Sequence, residues 1–257
     1  MYTRFFALLA HSQASCCWLI SSLVASLLLG GLTTAEAQVV TIPITTDNTA
    51  LVLQTDASHR LNTVYFGAPL TQAADYAGAA AQYNFNDSNA GFYPNAYTPA
   101  GTWNLSEPAI QVTHADGNQS LELKYVRHET KPVDAHSSLT RILLRDPVYA
   151  FEVTLCYQTW AKENVIEQWA EMQHQEKKPV TLQKYASANL YFTQKNCYLT
   201  TFQGQYLKEA QPAETRLLQG MRSVESKLGT RAMLLQTPNF ILSLGQPAAE
   251  NEGTVLV

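Results

Sequence analysis

The chain has 257 residues, of which 46% are hydrophobic and 15% are charged, a balance typical of a folded globular protein. The length suits either one large domain or two small ones. The formal net charge is -4 and the basic residues form no stripe, which argues against binding to a nucleic-acid backbone as a main function.

The first residues have the pattern of a secretory signal. Arg4 is followed by an apolar run at 18–29, two glycines at 30–31, and small residues at Ala35 and Ala37, the positions that a signal peptidase reads. The alternative is a transmembrane anchor, but the run is shorter than the roughly 20 residues that a bilayer requires. We therefore predict a signal peptide at 1–37, a mature domain at 38–257, a periplasmic or extracellular location, and no membrane association after cleavage.

A long loop is predicted between Gly67 and Pro108. Its alanine-rich part at 73–81 is compatible with one short helix, and its aromatic residues lie among asparagines, prolines and glycines. These are Tyr83, Phe85, Phe92, Tyr93, Tyr97 and Trp103. Aromatic rings stack on the apolar face of a sugar while amides and hydroxyls bind its hydroxyl groups, so Tyr93, Tyr97 and Trp103 are predicted to contact substrate. The alternative is that the rings only hold the loop on the domain.

The remaining sequence alternates with the period of two that strands require. A hairpin is predicted from Ile110–Thr113 through an Asp-Gly turn at 115–118 to a strand containing Leu121, Leu123 and Tyr125. A three-stranded meander is predicted at 151–157, 165–172 and 180–192. No run has helical spacing with caps, so we predict an all-β fold, a large antiparallel sandwich, rather than a Rossmann sheet or a complete TIM barrel.

No catalytic or metal-binding motif stands out. Removal of the signal leaves two cysteines, Cys156 and Cys197, either free or joined in one disulfide. Glu167 and Glu171 are expected on one solvated strand face. The mature histidines form no ligand pair and are expected at the surface: His59, His114, His128, His136 and His174. We therefore predict no catalytic residue, no metal and no cofactor in this chain.

Several separated motifs resemble the N-terminal domain of glycoside hydrolase family 36, the α-galactosidases, in its secreted bacterial form. They occur in the family's order and cover about residues 38 to 257. The segments are 61–70 (LNTVYFGAPL), 112–117 (VTHADG), 164–171 (NVIEQWAE), 178–182 (KPVTL), 185–187 (YAS), 198–204 (YLTTFQG), 226–231 (SKLGTR) and 250–253 (ENEG).

The resemblance implies a β-supersandwich related to galactose mutarotase, followed in the family by a catalytic (β/α) barrel. The family's two catalytic aspartates, which serve a retaining mechanism, lie in that barrel, so no aspartate of this chain is expected to be catalytic. The implied function is to support and partly roof a barrel acting on α-galactosides, supplied in cis or in trans, with a possible homo-oligomer. Because residues 253–257 have the pattern of the start of a strand rather than the end of a domain, we expect a fragment or a truncated product.

One departure from the family concerns the sugar-contacting loop. Many members have a glycine, an aspartate, an aromatic residue and an arginine just before a Pro-Ala pair, whereas residues 103–109 here are WNLSEPA. The Pro-Ala pair is present and the arginine is not. No family residue role is therefore transferred, and Tyr93, Tyr97 and Trp103 are predicted from their chemistry alone.

Two alternative functions belong to other classes. A free-standing carbohydrate-binding module would bind sugar through the aromatic loop, the part of the long loop from Asp75 to Trp103. A mutarotase-like aldose epimerase, suggested by fold analogy, would require a histidine and a carboxylate on the sandwich face, and no spacing in the sequence singles out such a pair.

Overall fold

The computed structural model describes residues 39–79, 91–192, 196–218, 220–225, 235–248 and 254–256, and residues 40–257 form one compact unit. The described part contains thirteen strands and one short helix. They are β1 (Thr41–Thr45), β2 (Ala50–Thr55), β3 (Leu61–Gly67), α1 (Asp75–Ala79), β4 (Ile110–Thr113), β5 (Lys124–Pro132), β6 (Ser137–Arg145), β7 (Phe151–Trp160), β8 (Val165–His174), β9 (Thr181–Tyr185), β10 (Cys197–Gln205), β11 (Lys208–Arg216), β12 (Leu235–Leu244) and β13 (Thr254–Leu256).

The strands form four antiparallel sheets. Their orders are β1-β2-β3, β5-β6-β7-β8, β4-β9 and β11-β10-β12-β13. The two long hairpins of the second sheet have regular register, as in the pairs Ile142 with Leu155 and Leu155 with Ala170. The structure therefore confirms the predicted all-β antiparallel fold.

One hydrophobic core joins three of the sheets. Ile42 and Leu53 of the first sheet share a buried cluster with Val112 of β4 and with Ile142 and Leu155 of the second sheet. Because side chains alternate across a strand, each of these strands contributes every second residue to the core. This face-to-face packing is that of a β-sandwich.

The short helix α1 covers the outer face of the first sheet. Tyr76 of α1 packs on Ala50 and Val52 of β2, which point away from the main core. The Tyr76 hydroxyl also accepts a hydrogen bond of 2.8 Å from the backbone N–H of Leu70. The alanine-rich segment thus contains the short helix predicted for it, and β2 is buried on both faces.

The predicted hairpin at 110–125 is wrong in its pairing. β4 pairs with β9, and the segment at 121–123 belongs to no strand. The reason is that Ala100 inserts between them: its N–H donates to the carbonyl of Ile110 at 2.9 Å, and its carbonyl accepts from the N–H of Leu121 at 3.3 Å. The Asp-Gly turn does form, with Gly117 at φ 92°.

The predicted meander is correct for two of its three strands. β7 and β8 pair over their whole length, with Asn164 at φ 57° in the turn between them. The third strand is shorter than predicted, as β9 ends at Tyr185, and it pairs with β4 in another sheet. The partner of a strand depends on the whole fold, whereas the period of two depends only on burial of one face.

Candidate functional site

The aromatic loop is held together by the side chain of Asn104. Its amide Nδ2 donates to the carbonyl of Tyr93 at 3.0 Å and to Oδ1 of Asn95 at 2.7 Å. Its Oδ1 accepts from the N–H of Ser106 at 3.0 Å. The backbone adds two bonds, from Gly91 N–H to the Trp103 carbonyl and from Leu105 N–H to the Gly91 carbonyl. The two arms of the loop are therefore fixed side by side.

The three predicted sugar-contacting residues line one pocket. Tyr93 is half-buried, Tyr97 is 2% exposed and Trp103 is 57% exposed, and all three border the pocket together with Arg60 and Glu122. The pocket has a volume of about 30 Å³, enough for a water molecule but not for a sugar ring. Tyr83 and Phe85 lie outside the described residues, and Phe92 is 49% exposed.

Tyr97 also has a structural function. Its hydroxyl donates a hydrogen bond of 2.7 Å to the carbonyl of Ala186, just beyond the end of β9. Burial raises the pKa of Tyr97 to about 12, so the hydroxyl remains a donor at physiological pH. The Tyr97 ring therefore attaches the loop to the sandwich. This is the function expected under the alternative in which the aromatic rings only hold the loop on the domain.

A second, larger cleft lies beside Trp103. It has a volume of about 280 Å³ and shares Arg60, Trp103 and Glu122 with the narrow pocket. Its opposite wall is formed by residues 146–149 and by Asn118. No motif in the sequence marks this cleft, because its walls come from segments that are far apart along the chain.

His114 is buried, contrary to the prediction that it lies at the surface. Its side chain has no exposure, and its Nδ1 lies 2.8 Å from Oε1 of Glu176. Its Nε2 lies 3.1 Å from the carbonyl oxygen of Ser120. Both ring nitrogens therefore face hydrogen-bond acceptors, one a carboxylate and the other a backbone carbonyl. The ring also stacks on Tyr149, with centroids 3.7 Å apart.

The His114–Glu176 pair was not found from the sequence, because 62 positions separate the two residues. Burial raises the pKa of Glu176, but the hydrogen bonds from Ala115 N–H and from His114 outweigh it, so the pKa lies below its usual value. The same ionised carboxylate accepts the Ala115 N–H at 2.9 Å. Glu176 therefore fixes the turn that follows β4.

The predicted solvated carboxylate face lies on β8. Glu167 and Glu171 are both exposed, and Glu171 forms a two-point ion pair with Arg141 on β6. Hydrogen bonding from Arg141 lowers the pKa of Glu171. Beneath this pair lies Cys156, and burial raises the pKa of its thiol to about 11. Both cysteines of the described residues, Cys156 and Cys197, are thiols.

The described residues contain neither a cluster of metal-binding side chains nor a helix suited to crossing a membrane. That part of the chain holds no group of three or more histidine, cysteine, aspartate or glutamate side chains arranged to bind a metal ion. Likewise, none of its helices has the length and apolar character to cross a membrane.

Several solved α-galactosidases contain the same fold. The α-galactosidase of Lactobacillus brevis superimposes with a TM-score of 0.71 at 20% identity, over 80% of this chain and 31% of that one. The family 36 α-galactosidase AgaA of Geobacillus stearothermophilus gives 0.72 at 21% identity, over 80% of this chain and 32% of that one. The galactosidase domain of the α-galactosidase-sucrose kinase AgaSK gives 0.69 at 21% identity, over 80% and 32%.

The chain resembles only part of each solved α-galactosidase. The chain spans about a third of the length of the solved proteins that it matches, and at these low identities the superpositions establish a shared fold alone. No curated protein matches the sequence at a significant level. The sequence profile described as the glycosyl hydrolase family 36 N-terminal domain matches residues 59–257, which is most of the chain. The chain therefore belongs to the family of glycosyl hydrolase family 36 N-terminal domains.

Proposed function

We propose that this domain supports and partly roofs a catalytic (β/α) barrel that hydrolyses α-galactosides, and that it is not itself catalytic. The observation that carries the proposal is the family match over residues 59–257, together with the one-third share of the solved α-galactosidases that the chain covers. The remaining two thirds of such an enzyme has room for the barrel, supplied in cis or in trans.

The described carboxyl groups whose pKa values are shifted are all shifted in one direction. Glycoside hydrolysis requires one carboxyl group that stays protonated to act as an acid, which means a raised pKa. Every described carboxyl whose pKa departs clearly from its usual value is shifted down instead. These groups are Asp116, Glu129, Asp134, Glu171 and Glu176.

The mutarotase-like alternative is disfavoured by the burial of His114. The structure does bring a histidine and a carboxylate together, but the His114 side chain has no exposure and Glu176 is only 8% exposed. A general acid or base must reach the proton that it transfers. The Tyr149 ring stacks on His114, and the cleft is lined by Tyr149 and not by His114 or Glu176.

The loop contributes to the proposal through its aromatic residues. Tyr93 and Trp103 would face the sugar at the mouth of the pocket, and Tyr97 would support them from its floor. We further propose that residues 1–37 are a signal peptide cleaved after Ala37, that the domain acts in the periplasm or outside the cell, and that it can assemble as a homo-oligomer. N-terminal sequencing of the exported protein tests the cleavage site, and light scattering tests the assembly.

The experiment begins with the DNA beyond the codon for Val257 and its neighbouring genes. We expect a reading frame that encodes a (β/α) barrel with two catalytic aspartates. The purified chain should release no nitrophenol from nitrophenyl α-galactoside, and co-expression with that barrel should yield hydrolysis. Activity of the chain alone that survives repurification would contradict the proposal, as would barrel activity that is unchanged by omission of the domain.

A further inference from the structure

The open cleft beside Trp103 is almost ten times larger than the narrow pocket, at about 280 Å³ against about 30 Å³. Its lining is mixed, with the aromatic rings of Trp103 and Tyr149, the guanidinium of Arg60, the carboxylates of Glu122 and Asp146 and the amide of Asn118. Concave sites that combine apolar surface with a few fixed polar groups are the usual sites for small molecules.

Trp103 presents an indole ring from a rigid support. The ring is 57% exposed although its own carbonyl is bonded to Gly91 and the next residue, Asn104, fixes the loop. Thr102 on its other side donates its hydroxyl to the carbonyl of Pro99 at 3.2 Å. Because the backbone around Trp103 is already ordered, only the side-chain torsions of the ring lose freedom when a ligand stacks on it.

Arg60 and Glu122 supply hydrogen-bonding groups at the edge of the ring. The Arg60 guanidinium lies 3.8 Å from Oε1 of Glu122, which is too long for a hydrogen bond. Lys124 contacts the same oxygen at 2.5 Å, so both cations lie beside Oε1 of Glu122. Each planar group therefore offers atoms to a ligand, with donors on Arg60 and an acceptor on Glu122.

The opposite wall is fixed by its own hydrogen bonds. Asp146 is 4% exposed and its Oδ1 accepts the backbone N–H groups of Val148 and Tyr149 at 2.7 and 2.8 Å. The Tyr149 hydroxyl donates to Asp116 at 2.9 Å and accepts from Asn118 at 2.8 Å. Val148, at 82% exposed, adds apolar surface to the wall.

We propose that this cleft binds one pyranose ring of a neutral glycoside, with Trp103 stacked on its C–H face and with Arg60 and Glu122 bonded to neighbouring hydroxyl groups. The opposite charges of Arg60 and Glu122 favour an uncharged ligand, because an anion would meet the carboxylate of Glu122 and a cation would meet the guanidinium of Arg60. The choice of an α-galactoside as ligand rests on the proposed function. The cleft itself consists only of residues of this domain, so binding requires no barrel.

The experiment is a calorimetric titration of the purified protein with methyl α-galactopyranoside, accompanied by saturation-transfer NMR. We expect saturable binding that Trp103→Ala weakens by at least about tenfold, a difference of about 1.4 kcal/mol. The matched control is Tyr206→Ala, which removes an 84% exposed ring from the β10–β11 turn and should leave the affinity unchanged. Arg60→Gln should weaken binding as well, and melting temperatures verify that each variant is folded.

The outcomes separate this inference from the proposed function. The inference is overturned by absence of saturable binding, by equal losses in Trp103→Ala and Tyr206→Ala, or by displacement of the sugar by inorganic phosphate. If binding is absent while barrel-dependent hydrolysis is intact, this inference alone fails. If sugar binding is lost in Trp103→Ala but barrel hydrolysis is the same with and without the domain, the proposed function fails. The domain would then be a sugar-binding module.

Discussion

At the scale of single residues, the buried hydrogen-bonded pair of His114 and Glu176 connects the turn after β4 to the segment between β8 and β9. The two side chains are 0% and 8% exposed, so the pair is screened little by solvent. Removal of one partner of a buried pair strongly destabilises the folded protein, because the charge of the other partner is left buried without compensation. His114 is therefore a residue on which the fold depends, although nothing in its local sequence indicates this.

We predict that His114→Ala lowers the free energy of unfolding by about 3 kcal/mol, because Glu176 stays buried without its partner. Urea denaturation followed by tryptophan fluorescence measures the change. The matched control is Lys131→Ala, since Lys131 and Glu129 form a pair that is 71% and 52% exposed and should contribute little. Similar losses in the two variants would show that the buried pair has no special weight.

The lowered pKa of Glu176 predicts acid sensitivity. A carboxyl group whose native pKa lies below its unfolded value stabilises the fold above the unfolded value, and this contribution is lost as the pH falls through the native pKa. We therefore expect stability to decline below pH 4.5, the ordinary value for this group. Denaturation between pH 6 and pH 3 measures the slope, and Glu176→Gln should be less stable at pH 6 but flatter below pH 4.5. An unchanged acid slope in that variant would contradict the assignment.

At the scale of elements, the segment at 98–101 determines how β4 and the 120–123 segment are separated. Gly101 has φ 80°, and a Cβ atom there would lie 2.7 Å from the backbone Cα of Ser120. The chain must pass at this distance because Ala100 bonds to Ile110 on one side and to Leu121 on the other. Only glycine satisfies both the dihedral angle and the close approach.

We predict that Gly101→Ala destabilises the protein by at least about 2 kcal/mol, through backbone strain and overpacking together. The control is Gly117→Ala, where φ is 92° but a Cβ would meet nothing within 4 Å, so only strain of about 1 kcal/mol is expected. Urea denaturation compares the two variants. Equal losses would show that the contact with Ser120 carries no energy.

At the scale of the whole molecule, burial is concentrated in one half of the described structure. The main core contains residues of β1 to β4, β6 and β7, whereas no described residue of β10, β11 or β12 is among the buried hydrophobic side chains. The strand β11 is almost entirely exposed. Since local stability follows buried apolar contacts, the sheet β11-β10-β12-β13 should open more readily than the sandwich.

Hydrogen exchange measured by mass spectrometry checks this expectation. Amides of β6 and β7 should exchange slowest, at the rate of global unfolding, and those of β10 and β11 should exchange faster. Peptides of β8, whose outer face is solvated, provide an internal comparison within the well-packed sheet. Uniform protection across all four sheets would contradict the expected difference and indicate a single cooperative unit.

The sequence by itself determined the class of fold and some of its strands. Alternation in Phe151–Trp160 and in Val165–His174 predicts two strands, and the polar turn between them predicts their pairing, because both signals are local. The aromatic content of the loop likewise led to Tyr93, Tyr97 and Trp103, and the structure brings these three residues together at one pocket. The family motifs were visible for the same reason, since each is a short run of neighbouring residues.

Only the tertiary structure decided the long-range arrangements. It inserted Ala100 between β4 and the 121–123 segment, paired β4 with β9, buried His114 against Glu176, and placed Arg60 and Glu122 beside Trp103. Strand alternation specifies which face of a strand is buried but not which strand lies next to it. Burial of a polar residue depends on a partner that is distant in sequence, so the cleft and the buried pair exist only once the core has brought those segments together.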